Sequence, residues 1–561
     1  MMSDFEKLNA ITPNEEPENE EPLNLNTDPL PFALREPPTW KARDTVFAII
    51  TLVSAVFFVS LSLFGGFNIG FTVSYFALFL LTVLYMVKSK INIKPFSLLS
   101  GAVSLILSAV FAVFDDSLIN TLLFFAVFAL YGVFAAVSYT DCEKSRHGII
   151  YSALNTLIIS PFRFLTEPFR SYGKYCSDNE KKGPNKQVLV GIALSVPVLL
   201  IVLPLLISSD AAFEGLMVSL FSGVGKLIAK ILLGTFLAIF LFSMLFALKK
   251  GLREDESKPY SNTDYRNLPA ATAVTLFSIL SVFYAVYLFS QLAYFFSAFS
   301  GILPEGYALT PANYARRGFF ELCGVCSINL GLIAIITGLC RRNEEGKIPL
   351  SVRITATLIC LFSVILTATA VSKMLLYIGF YGLTRLRLLT SLFMVLLALL
   401  FIGVVIYLYL KKFPFAKFII TVLALLALAV GFTDVDRTVA LYNVESYKAG
   451  KLTELDVAHL GGLSDSAVPY LISLLDVPDA YIREQAATEL YFRAEQFYEI
   501  DTSEYGKIKL KNIKKSDFSS YNYSREQAKK LIRKNIRKII ELKPYVNEYA
   551  EYEFPDGGYG W

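Results

Sequence analysis

The sequence is poor in charged residues and in metal-binding side chains. Asp, Glu, Lys and Arg make up only 18% of its 561 residues, whereas soluble domains carry roughly 25%. Its two histidines, His147 and His459, lie far apart, which argues against a zinc or haem site built on imidazole. It contains no phosphate-binding glycine loop, no G-x-S-x-G motif and no H-E-x-x-H motif. These absences disfavour a soluble enzyme or a nucleic-acid-binding module, and we predict neither a metal nor a cofactor.

Cysteine is also scarce, and its positions do not indicate a disulfide framework. Of the six cysteines, four lie in or at the ends of apolar runs. Cys323 and Cys326 have the spacing of a redox or metal pair, but no second pair accompanies them. We predict that both are small core residues, which is the usual role of free cysteine.

Apolar residues, by contrast, are abundant. They make up 54% of the chain, and apolar runs of about 20 residues, each long enough to cross a hydrocarbon core of ~30 Å, recur through it. We predict an all-α fold, a polytopic transmembrane helix bundle of about eleven spans over residues 44–432. The predicted spans are 44–64, 69–88, 95–113, 117–139, 187–208, 227–248, 269–298, 317–340, 354–379, 388–410 and 416–432. The proline-broken stretch 147–170 is predicted to lie along the membrane surface.

The distribution of Lys and Arg predicts how the bundle is oriented. Cytoplasmic loops carry an excess of these residues near the span ends. If the N-terminal tail and alternate loops are cytoplasmic, that side holds 26 Lys and Arg residues and the opposite side holds six. We therefore predict a cytoplasmic N-terminus and, because the number of spans is odd, an extracytoplasmic C-terminus.

The two ends of the chain differ in composition from the bundle. Residues 1–43 contain seven prolines and nine acidic residues, so we predict a disordered cytoplasmic tail. Residues 433–561 have the composition of a small helical extracytoplasmic domain. In that domain Asp479 is predicted to cap one helix, Asp465 or Ser466 a second, and Ser524 a third.

Charged residues at the predicted outer boundary form the first candidate site. Ionisable groups near a membrane are costly to desolvate, and cations are disfavoured on this side, so their retention suggests ion pairing or ligand binding. The hypothetical ligand-binding set, called here the outer charged ring, comprises Arg316, Arg317, Glu321, Lys373, Arg385, Arg387, Asp434, Asp436 and Arg437.

Within this ring, Arg317 and Glu321 are four residues apart and can pair on one helix face. The pair can anchor the end of a span, or the guanidinium can bind an anionic headgroup, a phosphate or a carboxylate. Lys373, Arg385 and Arg387 flank the next outer loop and would complete such a site, although snorkelling anchors are the commoner use of such cations.

A basic segment, residues 505–538, is the second candidate site. It contains twelve basic and two acidic residues, and its later part has an apolar face at helical spacing. A basic amphipathic helix suits an anionic surface, here lipid headgroups or an anionic wall polymer, whereas the alternative is a solvated helix face. The predicted surface-binding cations are Lys529, Lys530, Arg533, Lys534, Arg537 and Lys538.

Asp115 and Asp116, in a short outer loop, suggest an enzymatic alternative. Paired carboxylates can hold Mg²⁺ or act as a general base. Multi-pass glycosyltransferases that use lipid-linked sugar donors place an acidic residue in an early outer loop, but such a likeness of layout proves little. Two adjacent acids in a turn are usually just a solvated turn, so we predict no catalytic residue.

Several stretches taken together resemble one protein family. They are NYARRGFFEL at 313–322, GLTRLRLLT at 382–390, DVDRTVALYNVESY at 434–447, GKL at 450–452 and DSAVP at 465–469. Over about residues 45–475 the chain resembles bacterial multi-pass membrane proteins that are grouped as a domain of unknown function. The resemblance implies a bacterial plasma-membrane protein and implies no particular activity.

We therefore expect an integral membrane protein that is not an enzyme. The outer charged ring and the C-terminal domain would bind an anionic lipid, an anionic polymer or another envelope protein, and no nucleic acid. A transferase acting on a lipid-linked substrate and a transporter are the alternatives. Metal-dependent turnover that requires Asp115 and Asp116 would favour the transferase, and substrate flux in vesicles would favour transport.

Overall fold

The computed structural model of the chain is almost entirely helical. It describes residues 40–91, 93–139, 148–178, 186–210, 213–215, 217, 225–255, 266–300, 319–410, 412–504, 507–513 and 518–543. The predicted tail lies outside these residues, except for its last four positions.

The apolar runs form the long helices of a bundle. A bilayer offers no hydrogen bonds to the backbone, so an apolar segment satisfies its own peptide groups by becoming helical. Ten helices of the described chain are long and apolar enough to cross a membrane, α1–α4 and α9–α14 below. The bundle helices are α1 (Ala42–Phe58, continued by a π-helical turn Val59–Leu63), α2 (Ile69–Lys88), α3 (Pro95–Val113), α4 (Ser117–Tyr139), α5 (Gly148–Leu154), α6 (Ser160–Arg163), α7 (Glu167–Asp178), α8 (Lys186–Ser209), α9 (Gly225–Asp255), α10 (Ala270–Ser300), α11 (Phe319–Leu339), α12 (Leu350–Tyr381), α13 (Arg385–Tyr409) and α14 (Phe415–Thr433).

The side chains on the circumference of the bundle are apolar, whereas its interior contains hydrogen bonds between polar side chains. On α10, Phe283 and Phe289 expose 68% and 78% of their surface, which suits contact with lipid. Inside, the Tyr75 hydroxyl lies 2.8 Å from the Ser104 hydroxyl, and Asn329 donates a hydrogen bond of 2.9 Å to Ser363. Hydroxyl and amide side chains commonly join helices in this way within membranes.

A bent helix pair follows α4 and packs against the bundle. The segment α5–α6 meets α7 at 53°. Phe162 lies against Phe240, with ring centroids 5.1 Å apart, whereas Tyr172 lies against Trp40 at 5.2 Å, beside the start of α1. The pair therefore packs on α9 and beside the start of α1 with a bend in its middle, and its predicted position along the membrane surface remains a prediction.

The helix α9 begins at the end of the bundle opposite to the one where α4 ends. The helix α4 ends on the side where α1 begins. In α9, by contrast, Lys230 lies 5.5 Å from the ring of Phe64 at the far end of the first span, and Phe246 lies 5.6 Å from Trp40. Ten helices of the described chain have the length and composition of a span, and counting the bent pair α5–α7 as one further span would give the eleven that were predicted.

Beyond α14, the chain forms a separate domain of short helices and one β-hairpin. Its elements are α15 (Val435–Lys448), α16 (Val457–Gly461), α17 (Val468–Leu474), α18 (Ala480–Phe497), β1 (Tyr498–Glu504), β2 (Lys507–Asn512) and α19 (Tyr523–Leu542). The two strands pair antiparallel. The prediction of a wholly helical domain missed this hairpin, although Lys and apolar residues alternate along β2 with the period of a strand.

The helix caps of the domain agree with the predictions in part. Asp479 caps α18 as expected, by accepting hydrogen bonds from the backbone of Tyr481 and Ile482. The cap of α19 is Asn522, not Ser524, whose hydroxyl instead donates to the carbonyl of Val113. Asp465 caps no helix, because its carboxylate is engaged by two arginines.

The apolar face of α19 packs on its own domain. Ile532 and Ile539 are fully buried and Ile536 nearly so, and α19 lies against α17 and α18. This face is therefore not available to insert into a membrane.

The domain covers one end of the bundle, called here the domain end, which consists of loops 64–68, 114–116 and 382–384. The other end, called the opposite end, consists of loops 89–94, 340–349 and 410–414. The positions of the candidate residues are described below relative to these two ends.

Candidate functional site

The domain end is joined to the domain by main-chain and amide contacts. The Ile69 amide donates to the Tyr521 carbonyl at 3.1 Å, and the Asn522 side chain donates to the Phe111 carbonyl at 3.2 Å. In loop 382–384, the Asn443 amide group both accepts from and donates to the backbone of Leu383, at 2.7 and 2.8 Å. Three loops of the bundle are therefore held by the same domain.

Arg385 and Asp436 are the centre of the first buried ion-pair group. Arg385, at the first position of α13, donates through Nε and Nη2 to the two oxygens of Asp436. Asp436 is wholly buried and also accepts a hydrogen bond of 2.6 Å from the Ser464 amide. The Nε of Arg385 lies 3.9 Å from Asp116. Two-pronged pairing of this kind is strong and fixes geometry.

Arg525 is the centre of the second group. This first-turn residue of α19 pairs with Asp115 of loop 114–116 and with Asp465 of the domain. Asp465 is also bound by Arg493, at 2.9 Å, and Arg493 donates to the carbonyls of Gly461 and Leu463 at 2.6 Å. The acidic loop is thus tied to the domain through Arg525, and Arg493 holds the Asp465 end of this chain of contacts. Together these two groups are called the domain clamp.

Burial shifts the pKa values of the carboxyl groups in and beside the clamp. It raises the pKa of Asp115 to about 6, since the cost of desolvating the carboxylate exceeds the attraction of Arg525. Burial likewise raises the pKa values of Asp116 and Asp434. Burial would also raise the pKa of Asp436, but the hydrogen bonds from Arg385 and Ser464 outweigh it and hold that pKa below its usual range.

Some buried polar atoms near the clamp have no hydrogen-bond partner among the described residues. They include Asp116 Oδ2, Asn120 Oδ1, Ser464 Oγ and His459 Nε2. The pKa of His459 is lowered by burial, so its imidazole is neutral at neutral pH. No group of three metal-ligating side chains occurs in the part of the chain that the structure describes.

The described members of the outer charged ring each have contacts of their own. Arg385 and Asp436 meet in the clamp, whereas Arg387 lies 4.3 Å from the Tyr377 ring and donates to the carbonyls of Tyr381 and Gly382. Arg437 donates to the Tyr470 hydroxyl at 3.1 Å.

The remaining members of the ring lie elsewhere. Asp434 caps α15, with its side chain accepting from the Arg437 amide. Lys373 is buried in α12, and the exposed Glu321 is one of the charges acting on it. Arg316 and Arg317 lie outside the described residues, so their predicted pairing with Glu321 remains a prediction.

Sequence reasoning missed Arg525, Asp465, Arg493 and His459 as neighbours of the boundary. Arg525 is separated from Asp115 by 410 residues, and no local pattern links them. The sequence pointed to these neighbours in only one way: acidic residues lie at the boundary in a loop that carries no cation of its own.

The acidic loop is covered by the domain. Asp116 is 4% exposed, and Asn522, Ser524 and Arg525 of the domain bond directly to residues 111–115. A general base for a lipid-linked substrate must be reachable from the membrane surface. The contacts of Asp115 and Asp116 therefore suit a structural clamp better than a catalytic pair.

The predicted surface-binding cations of α19 fall into two classes. Lys529 pairs with Glu526 at 2.7 Å, and Lys538 pairs with Asp476. Lys530, Arg533, Lys534 and Arg537 are exposed, and no ion pair involves them within the described chain. These four residues, called here the cationic face, follow one another at intervals of three, one and three positions along one helix.

Comparison with known proteins identifies the family. A family profile described as a domain of unknown function (DUF4153) matches residues 101–474, which is more than half of the chain. The chain belongs to this family, as the sequence resemblance predicted. No curated protein and no solved structure matches it.

Proposed function

We propose that this member of the DUF4153 family is a non-catalytic protein of the bacterial plasma membrane that binds anionic polymer or lipid headgroups through its C-terminal domain. In this proposal the helix bundle is the anchor, the domain clamp holds the domain rigidly on it, and the cationic face of α19 is the binding surface. The observation that carries the proposal is the exposure of four cations that have no ion-pair partner among the described residues, on a helix whose apolar face is already covered.

The state of the other candidate residues supports this assignment. Arg385, Asp436, Asp115 and Arg525 are already bound to one another, so they are not free to bind an external ligand. Separating a buried pair leaves an uncompensated charge, at a cost of about 3–5 kcal/mol. A ligand that displaced them would have to overcome that cost, whereas binding to the cationic face displaces no partner.

The electrostatic attraction of the cationic face is strong enough for reversible binding to an anionic surface. An exposed Lys or Arg close to an anionic membrane contributes about 1 kcal/mol, which falls off within a Debye length of ~8–10 Å. Four cations would contribute up to about 4 kcal/mol, enough for reversible attachment at low salt. The interaction is accordingly expected to weaken as salt is added.

The orientation is part of the proposal. The excess of Lys and Arg in the loops of the opposite end supports a cytoplasmic position for that end. The domain then lies outside the cytoplasm, where lipid headgroups and wall polymers are the available anionic surfaces.

Binding of the full-length protein to an anionic polymer tests the proposal. The protein is reconstituted in phosphatidylcholine nanodiscs, and its affinity for poly(glycerol phosphate) is measured at low and high salt. The variant Lys530→Gln, Arg533→Gln, Lys534→Gln, Arg537→Gln is expected to bind at least tenfold more weakly. In a second experiment, phosphatidylglycerol replaces part of the phosphatidylcholine. The protection of α19 from hydrogen exchange is then compared between the two lipid compositions.

A matched control removes the same charge from the opposite end. Lys88, Lys90, Arg341 and Lys412 are exposed there, and their replacement by Gln is expected to leave polymer affinity unchanged. Equal losses in the two variants would show that only net charge matters. If the unmodified protein binds neither polymer nor anionic lipid in preference to neutral ones, the cationic face is a solvated helix surface and the proposal fails.

A further inference from the structure

A cavity at the opposite end of the bundle is lined by cations. It measures about 280 Å³, and the described residues that line it include Arg266, Arg342, Lys347 and Arg353 and no acidic side chain. Its remaining walls include Tyr407 and Tyr409, at the end of α13. It is far from the domain clamp, since α12 and α13 span the whole bundle between the two.

The cavity is built from segments whose positions are fixed by backbone hydrogen bonds. The Leu268 amide donates to the Leu339 carbonyl at 3.1 Å, and the Arg341 amide donates to the Leu268 carbonyl at 2.9 Å. This places Arg266 beside the chain that follows α11. The next turn is closed by a hydrogen bond of 3.0 Å from Asn343 to Lys347, and its Gly346 has a φ of +70°, a conformation that favours glycine.

Two of the arginines are held in place within the cavity wall. Arg342 donates to the Thr337 carbonyl at 3.1 Å, and the guanidinium carbon of Arg353 lies 5.7 Å from the centre of the Tyr409 ring. The Nε of Arg353 is buried and has no hydrogen-bond partner in the described chain. A buried donor without a partner costs about 1–3 kcal/mol, so an anionic acceptor there would be favourable.

One described acid, Glu345, reaches a lysine of the cavity lining. Glu345 pairs with Lys347 at 2.5 Å, but its side chain is 68% exposed, and such surface pairs contribute little. The positive-inside tendency requires Lys and Arg in the loops of this end. It does not require four of them, contributed by three loops or helix ends, to converge on one cavity.

From this geometry we infer that the cavity binds a phosphate group, called here the opposite-end phosphate site. Guanidinium groups such as those of Arg342 and Arg353 match the oxygens of a phosphate better than a halide or a single carboxylate, because each presents several donors in one plane. The volume lies just below the usual ~300–1,000 Å³ of small-molecule pockets. It therefore suits a phosphate monoester or diester headgroup and not a nucleotide.

The surroundings indicate a membrane-facing entrance. Leu350 and Ile354 of α12 and Leu410 after α13 expose 57%, 52% and 59% of their surface next to the cavity. Acyl chains of a phospholipid can lie on these side chains while its headgroup occupies the cavity. Basic pockets between transmembrane helices on the cytoplasmic side commonly bind phospholipid headgroups in this way.

The test uses the full-length protein in a zwitterionic detergent with two probes. Inorganic phosphate and short-chain phosphatidylglycerol are titrated separately, and binding is followed by thermal shift and by native mass spectrometry. We expect phosphatidylglycerol to bind, with at least tenfold weaker binding after Arg353→Gln or Arg342→Gln. Binding of phosphate and not of the lipid would identify a soluble phosphate as the ligand of the same site.

The matched control is Arg341→Gln, which removes the same charge from the adjacent exposed residue that does not line the cavity. We expect it to bind both probes like the unmodified protein. Arg353→Lys is the second variant, which keeps the charge if Arg353→Gln fails to fold, and we expect intermediate affinity because its ammonium cannot form a planar fork. If neither probe binds the unmodified protein, or if Arg341→Gln weakens binding as much as Arg342→Gln, the inference is overturned.

Discussion

Arg385 and Asp436 form a two-pronged ion pair that joins the start of α13 to the first turn of α15, with Arg385 Nη2 2.5 Å from Asp436 Oδ2. Asp436 has no exposed surface, and the pair therefore lies between the membrane bundle and the domain. The ion pair gives Arg385 a structural role at this boundary.

Loss of Arg385 is expected to release the domain. Arg385→Gln leaves the buried carboxylate of Asp436 unpaired and should cost about 3–5 kcal/mol, whereas Arg385→Lys should cost less because the charge remains. Hydrogen exchange in residues 435–497 of the full-length protein measures the effect. The control Arg437→Gln removes an exposed arginine that is bonded to Tyr470, and a comparable loss of protection in that variant would contradict the role given to the clamp.

Gly70 is expected to be intolerant of a side chain. A Cβ at this position would lie 2.9 Å from the Ser519 carbonyl oxygen of the domain and 3.1 Å from the Leu61 carbonyl oxygen, both of them backbone atoms that cannot move alone. Gly70→Ala should therefore lower the melting temperature by several degrees, a loss of about 1–3 kcal/mol.

The matched control for Gly70 is Gly324 in α11, where an added Cβ would meet nothing within 4 Å. Gly324→Ala should be neutral or slightly stabilising because alanine favours a helix. Equal melting temperatures for the two alanine variants would contradict the close docking of the domain on α2.

The stability of the protein is expected to depend on Asp115 between pH 4 and pH 6. Because its pKa is raised from 3.8 to about 6, the folded protein binds a proton in this window that the unfolded chain releases. The free energy of unfolding should therefore increase as the pH falls from 7.5 to 5, by about 1 kcal/mol from this residue.

Melting temperatures of the unmodified protein and of Asp115→Asn, measured at pH 7.5 and pH 5, test this dependence. The advantage of the unmodified protein over the variant should be larger at pH 5. Asp116 and Asp434 also have raised pKa values, but both remain in the variant, so their effect cancels in the comparison. A difference between the two proteins that does not change with pH would disprove the assignment.

The spans could be predicted from the sequence because the bilayer makes the signal local. The bounds of α2, α3 and α4 agree with the prediction to the residue, since an apolar run, a polar turn and the next apolar run suffice to define them. The start of the predicted span 354–379 was wrong, because the helix begins four residues earlier, at Leu350. There Arg353, which lies near Tyr409, continues the helix beyond the apolar run.

The candidate site could be predicted only in part. The sequence indicated Arg385 and Asp436 as boundary residues, but their pairing depends on how a domain folds back over three loops. Arg525 and Asp115 meet across 410 positions, and pattern reasoning reads only neighbours within a few turns. The cationic face was identified from its spacing, whereas the pairing of Lys529 and Lys538 with acids required the folded domain.

The location of the domain tests the central claim most directly, since an anionic surface outside the cell can be bound only by a domain that lies there. Single cysteines are placed at Tyr481, 66% exposed on the domain, and at Lys412, exposed at the opposite end. The unmodified protein is the control for background labelling of the native cysteines. The five native cysteines that the structure describes are buried or half-buried. In intact cells a membrane-impermeant thiol reagent should label the Tyr481→Cys protein and should label Lys412→Cys only after the cells are opened. Labelling of Lys412→Cys with protection of Tyr481→Cys would place the domain in the cytoplasm and contradict the proposed function.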